Sequence, residues 1–120
     1  MWLCFNNAFL SVVDKASNKD NLLVRARRKG DIKNVFPKAK EKLTLGTDYA
    51  YRAEISRGEV AEALTRMVFE LDYSNFKNSV QDHKLHNAYS SVWSIMGRLQ
   101  EGGPYNQGES RRQHELELAD

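Results

Sequence analysis

Apolar and polar positions alternate with a period of two through much of the first half of the chain and with a helical period through much of the second. Trp2 to Phe5 and Phe9 to Asp14 are apolar and partly β-branched, and Asn6-Asn7 between them suits a tight turn because Asn tolerates positive φ. These segments predict a hairpin. After a polar turn at Asn18-Lys19-Asp20-Asn21, Leu22, Val24 and Ala26 share one face of a strand while Leu23, Arg25 and Arg27 share the other. A short helix is expected after Gly30, where Asp31 can cap and Ile32, Val35 and Phe36 fall at helical spacing before Pro37. Two more strands, near residues 40 to 45 and 49 to 55, flank the turn Gly46-Thr47-Asp48. On the second, Tyr49, Tyr51, Ala53 and Ile55 alternate with Ala50, Arg52 and Glu54.

Ser56-Arg57-Gly58-Glu59 is a capping box, with Ser56 placed to accept from the Glu59 amide and Glu59 placed to reach back. A helix must start there, and Val60, Leu64, Met67, Val68 and Leu71 form its expected inner stripe. Phe69 falls off that stripe and is expected to meet the last helix. A loop around Tyr73-Ser74-Asn75 precedes Asp82, the N-cap of a helix to about Leu99. Leu85, Ala88, Tyr89, Val92, Met96 and Leu99 make its expected inner face, with Trp93 at the edge. From Gly102 the chain has no apolar period. The expected fold is α+β: an antiparallel sheet of about five strands, in the order β-β-β-α-β-β-α-α, with two long helices packed on one face. One domain over residues 1–101 and a disordered tail over 102–120 follow.

A length of 120 residues with 41% hydrophobic content supplies a single core. No apolar run approaches the roughly 18 to 20 residues of a membrane-spanning helix, and the first fifteen residues lack the parts of a secretory leader. A cytoplasmic protein with no membrane partner is expected. Cys4 has no second cysteine to pair with and reads as a buried, inert thiol. Core positions are likewise expected for Trp2 and Trp93. Net charge is only +2, yet residues 25 to 42 hold eight basic side chains against two acidic ones. Residues 101 to 120 carry five acidic side chains against two basic.

Phosphate-loop, dinucleotide, paired-cysteine and nucleophile-elbow signatures are all missing, so an enzyme built on this chain would need residues scattered in sequence. No catalytic residue is assigned and no cofactor is expected. His83 and His86, at i and i+3 beside Asp82, are the nearest approach to a metal site or a small enzyme site. They lack a third ligand, and a solvated first helical turn accounts for them. Tyr73, Asn75, Phe76 and Lys77 concentrate two aromatics and several hydrogen-bonding groups in a connection, a candidate partner-binding loop. The competing reading has Tyr73 and Phe76 pin that loop to the core.

The basic set carries more. Arg25 and Arg27 share a strand face, Arg52 joins them if its strand shows the same face, and Lys40 or Lys42 comes from the intervening strand. With Arg28, Lys29 and Lys33 nearby, this cationic surface would suit nucleic acid or another anionic partner. Against nucleic acid stands the apparent want of stacking aromatics, whose places Arg25 and Arg27 take. Salt bridges to Glu54 and Glu41 are the alternative use of these cations.

Trp2-Leu3, Phe9-Leu10-Ser11-Val12-Val13, Leu22-Leu23-Val24-Arg25-Ala26-Arg27, Asp48-Tyr49-Ala50-Tyr51-Arg52-Ala53 and Asp72-Tyr73-Ser74-Asn75-Phe76-Lys77, continuing through His83, Tyr89 and Val92-Trp93, resemble a family of small uncharacterised bacterial proteins over about residues 1–100. The resemblance implies one compact domain and transfers no function or site residue. The leading functional expectation is a non-catalytic protein-interaction or regulatory module, such as a phage or mobile-element accessory factor that inhibits a host defence nuclease. A nucleic-acid-binding domain using the basic sheet face is the alternative, and a small enzyme near His83 and His86 the second.

Overall fold

A computed structural model describes residues 1–103 of the chain. It divides into two compact units, Met1–Gln81 and Asp82–Asp120. The first holds a five-stranded sheet in which every neighbouring pair is antiparallel, so the α+β class expected from the sequence is the class observed. Its strands are β1 (Trp2–Phe5), β2 (Ala8–Val13), β3 (Asn21–Ala26), β4 (Lys42–Leu43) and β5 (Tyr51–Ser56), in spatial order β1-β2-β3-β5-β4. Only two residues of the expected strand 40–45 pair, and β5 starts at Tyr51, which leaves Tyr49 outside it.

Directly opposed residues in a ladder share a face, so the register defines the core side. Leu10 faces Ala26, Val12 faces Val24, Val24 faces Ala53 and Leu22 faces Ile55. Helix α1 (Asp31–Val35) adds Ile32 and Val35 to this layer, and α2 (Arg57–Phe69) adds Val60 and Ala63. Leu10, Val24 and Ile32 are wholly buried, each worth about 1.5–3 kcal/mol relative to exposure.

The β1–β2 turn keeps two residues, with Phe5 opposite Ala8, but no non-glycine residue among those described has positive φ. Asn6-Asn7 therefore forms a turn of the unprimed kind, and Asn34 Nδ2 ties it down by donating to Asn7 O at 2.8 Å. Asp31 does not cap α1. Gly30, at φ 92°, is the N-cap residue without a side-chain bond, and Asp31 is buried with its carboxylate accepting from Phe9 N at 3.2 Å and from Arg28 Nη2 at 3.2 Å. The reason lies in the ladder. Met1 and Val12 exchange both backbone bonds, so alternation turns the Phe9 N–H toward β3, whose last rung is Leu10–Ala26. A carboxylate replaces the missing strand.

Helix α2 starts where its capping residue predicts: Ser56 Oγ accepts from Glu59 N at 3.1 Å. Its inner face is Val60, Ala63, Leu64 and Met67. Val68 and Leu71, expected on that face, are exposed, and so is Phe69: Val68 and Phe69 end the helix beyond Met67, its last residue packed on the core, and Leu71 lies past the C-cap Glu70. The expected loop at residues 73 to 77 contains one more helix, α3 (Phe76–Ser79), which raises the number of described helices to four, two of them long.

In the second unit Asp82 caps α4 (His83–Gly97), accepting from Leu85 N at 2.9 Å. Leu85 and Tyr89 are buried as expected. Ala88, Val92, Met96 and Leu99 are exposed against expectation, and Trp93 is 44% exposed rather than in a core. The tail expected at 102–120 lies outside the described residues from position 104 onward, His114 included. No helix among the described residues is long and apolar enough to cross a membrane.

Candidate functional site

The face of the sheet opposite the core carries one transverse row that draws a residue from every strand. Trp2 of β1 stands opposite Ser11 of β2, Ser11 opposite Arg25 of β3, Arg25 opposite Arg52 of β5, and Arg52 opposite Lys42 of β4. With strands about 4.8 Å apart the row is about 19 Å long. Arg25 and Arg52 meet there as the sequence anticipates, and of the two lysines considered Lys42 is the one in register.

Three arginines converge on the residues just before β5. The Arg25 guanidinium carbon lies 4.5 Å from the centroid of the Tyr49 ring, and that of Arg27, one step beyond the end of β3, lies 4.6 Å from it. Arg52 donates from Nε to Tyr49 O at 3.2 Å and pairs through Nη2 with Asp48 Oδ1 at 3.3 Å. Asp48 Oδ1 also accepts from Tyr49 N at 2.9 Å, which fixes the ring's backbone under the cations. Arg25 Nη2 donates to Ser11 Oγ at 2.8 Å. Such cation–π contacts contribute about 0.5–2 kcal/mol each, the more when the cation is desolvated. Tyr49 is buried and Ser11 wholly so.

Charge on this face is unbalanced. Arg25 and Arg27 have no carboxylate partner among the described residues, and the Arg25 Nε is buried without a hydrogen bond. Neither carboxylate expected to pair with the row, Glu54 or Glu41, forms a salt bridge with it among the described residues. Glu54, on the same face opposite Leu23, is engaged by Ser17, whose amide and hydroxyl donate at 2.8 and 2.9 Å. The Ser17 amide first, its hydroxyl next, and the charge of Lys42 last hold the Glu54 carboxyl below its ordinary value. Asp48, which pattern reasoning did not single out, is the one carboxylate paired with Arg52 among the described residues.

The stacking aromatics that the sequence reading found wanting come from the other end of the row. Trp2, expected in the core, is 74% exposed, and its ring meets that of Phe9 edge-on at 6.2 Å and 67°. Both lie on the arginine face, since Trp2 opposes Ser11 and Phe9 opposes Cys4. Cys4 shares that face and is exposed rather than buried. The two-residue turn was the available signal: it fixes Phe5 opposite Ala8 and hence Trp2 opposite Ser11.

Other candidates fall elsewhere. Arg28 is turned to Asp31, Lys29 is exposed in the turn before Gly30, and Lys33 belongs to α1, which packs on the core side. Residues 73 to 77 are organised by local bonds. Asn75 caps α3 by accepting from Asn78 N at 3.1 Å, Phe76 and Lys77 are helical, and the rings of Tyr73 and Phe76 lie 5.6 Å apart. His83 and His86 occupy the first turn of α4, and among the described residues no three His, Cys, Asp or Glu side chains come together as a metal site. No family model matches the chain, and neither a curated protein nor a solved structure does.

Proposed function

We propose that the polar face of the sheet binds nucleic acid through its phosphates. The observation that carries this reading is the row from Trp2 to Lys42, in which cations from three adjacent strands stand in register. Guanidinium forks match phosphate oxygens bidentately, and a phosphate seated over Arg25 and Arg52 would relieve two like charges at once. Four cations (Arg25, Arg27, Lys42, Arg52) meet two carboxylates (Asp48, Glu54) on this face, so the local field attracts anions although the chain's net charge is only +2. Fluorescence anisotropy of a labelled oligonucleotide against rising salt tests the reading. Affinity should fall steeply, and Arg27→Ala and Lys42→Ala, both at exposed positions, should each lower the salt slope by about one. Binding that ignores salt, or no binding at low salt, would overturn it.

A second reading, a protein-interaction module, is supported by α4. Val92, Ile95, Met96 and, just past its end, Leu99 are each between 49% and 75% exposed, with Trp93 beside them. A photoreactive side chain at position 96 should crosslink one defined protein in source cells, and crosslinks to no protein would count against this use of the helix. Inhibition of a defence nuclease is one form that such a partner could give it.

A further inference from the structure

We infer that the ligand of this face is a single strand, and that Trp2 stacks on one of its bases. This rests on the nucleic-acid reading and names the class within it. A duplex keeps its bases inside and offers a sheet only phosphates, whereas a single strand can lay phosphates along cations and turn a base onto an aromatic ring. The row supplies both, in order. Arg25, Arg52 and Lys42 occupy three adjacent strands at one end, and Trp2 ends the other. Trp side chains are ordinarily well buried, yet this one is 74% exposed in the same row as the arginines.

The ring is also held ready. Phe9 meets it edge-on, which leaves a face of the indole uncovered by that neighbour. The backbone that carries the Phe9 ring is itself tied down, because its N–H donates to the buried Asp31 carboxylate. A preset stacking surface costs less ordering on binding than a mobile one. The ligand chemistry is therefore an unpaired base linked to phosphates, in DNA or RNA.

The chain has two tryptophans, so Trp93→Phe leaves Trp2 as the sole indole reporter. Its emission is to be followed on titration with oligo-dT, oligo-rU, a duplex of equal length and inorganic polyphosphate, with anisotropy or competition giving affinities. Oligo-dT or oligo-rU should quench Trp2, while polyphosphate should compete for the face without quenching. Trp2→Ala should weaken single-strand binding roughly ten- to a hundredfold, Trp2→Phe should restore most of it, and neither should change polyphosphate binding. The two oligonucleotides decide between DNA and RNA. If polyphosphate and oligonucleotides bind but Trp2→Ala binds single strands as well as the parent, or if the duplex binds as tightly, the inference fails and the phosphate reading stands. If no polyanion binds at low salt, both fail.

Discussion

Arg25 and Arg52 face each other as a non-hydrogen-bonded pair, the class of antiparallel rung in which side chains approach most closely. The assignment follows from Arg57 N donating to Asp20 O at 3.0 Å, since bonded and non-bonded rungs alternate from there. Like charges so placed cost roughly 0.2–1 kcal/mol. Tyr49 and Asp48 offset part of that cost. A polyanion should offset more of it: at low ionic strength, tripolyphosphate should raise the melting temperature by about 2–4 °C, an increment that shrinks in Arg52→Gln. Equal increments in both proteins, read by differential scanning calorimetry, would place the bound anion elsewhere.

Tyr49 acts through its ring rather than its hydroxyl. Tyr49→Phe should therefore cost under about 1 kcal/mol by urea denaturation, whereas Tyr49→Leu should lose the two cation–π contacts and cost about 1–3 kcal/mol. In a double-mutant cycle Tyr49→Leu and Arg27→Ala should be non-additive, because they remove the same contact.

Glu54 makes a pH prediction. Its folded value is depressed by Ser17, so its contribution is fully present above the unfolded glutamate value and is lost as pH falls through the lower, folded value. Stability should decline in that acid window. Ser17→Ala removes the hydroxyl bond, so it should move the Glu54 titration, followed by carbon NMR of its carboxyl, back toward the ordinary range. An unmoved titration would show that the Ser17 hydroxyl contributes nothing to the depression.

Asp31 is buried, pairs with Arg28 and satisfies the Phe9 amide near the start of β2. Asp31→Ala strands that amide and should cost about 1–3 kcal/mol in chemical denaturation. Ser56→Ala, which removes one exposed cap bond, should cost less, about 1 kcal/mol. Hydrogen exchange separates the two: the first should speed exchange at Phe9 and the second at Glu59.

The strands and both long helices were legible because period-two and period-3.6 patterns and two side-chain caps are local signals. The site was half legible. Alternation put Arg25 and Arg27 on one face, but a stretch of 24 residues separates Ala26 from Tyr51, and nothing in that length fixes which residue opposes Arg25. Tyr49 was misplaced for a related reason: alternation grouped it with Tyr51, Ala53 and Ile55 on one strand face, but it precedes β5, where the rule no longer binds. Trp2 was misjudged because residue type favours a core, whereas the register set by a two-residue turn puts Leu3 and Phe5 there instead. The exposed apolar residues of α4 show the limit of a helical stripe, which names a face without saying what covers it.

The row from Trp2 to Lys42 takes one residue from each strand, and the farthest apart in sequence are Trp2 and Arg52. No shorter stretch of chain contains it, and no single hairpin displays it. The row is thus a product of assembly: a chain ending before Arg52 carries Arg25 and Lys42 but lacks the strand that pairs with both β3 and β4 and brings them into one line.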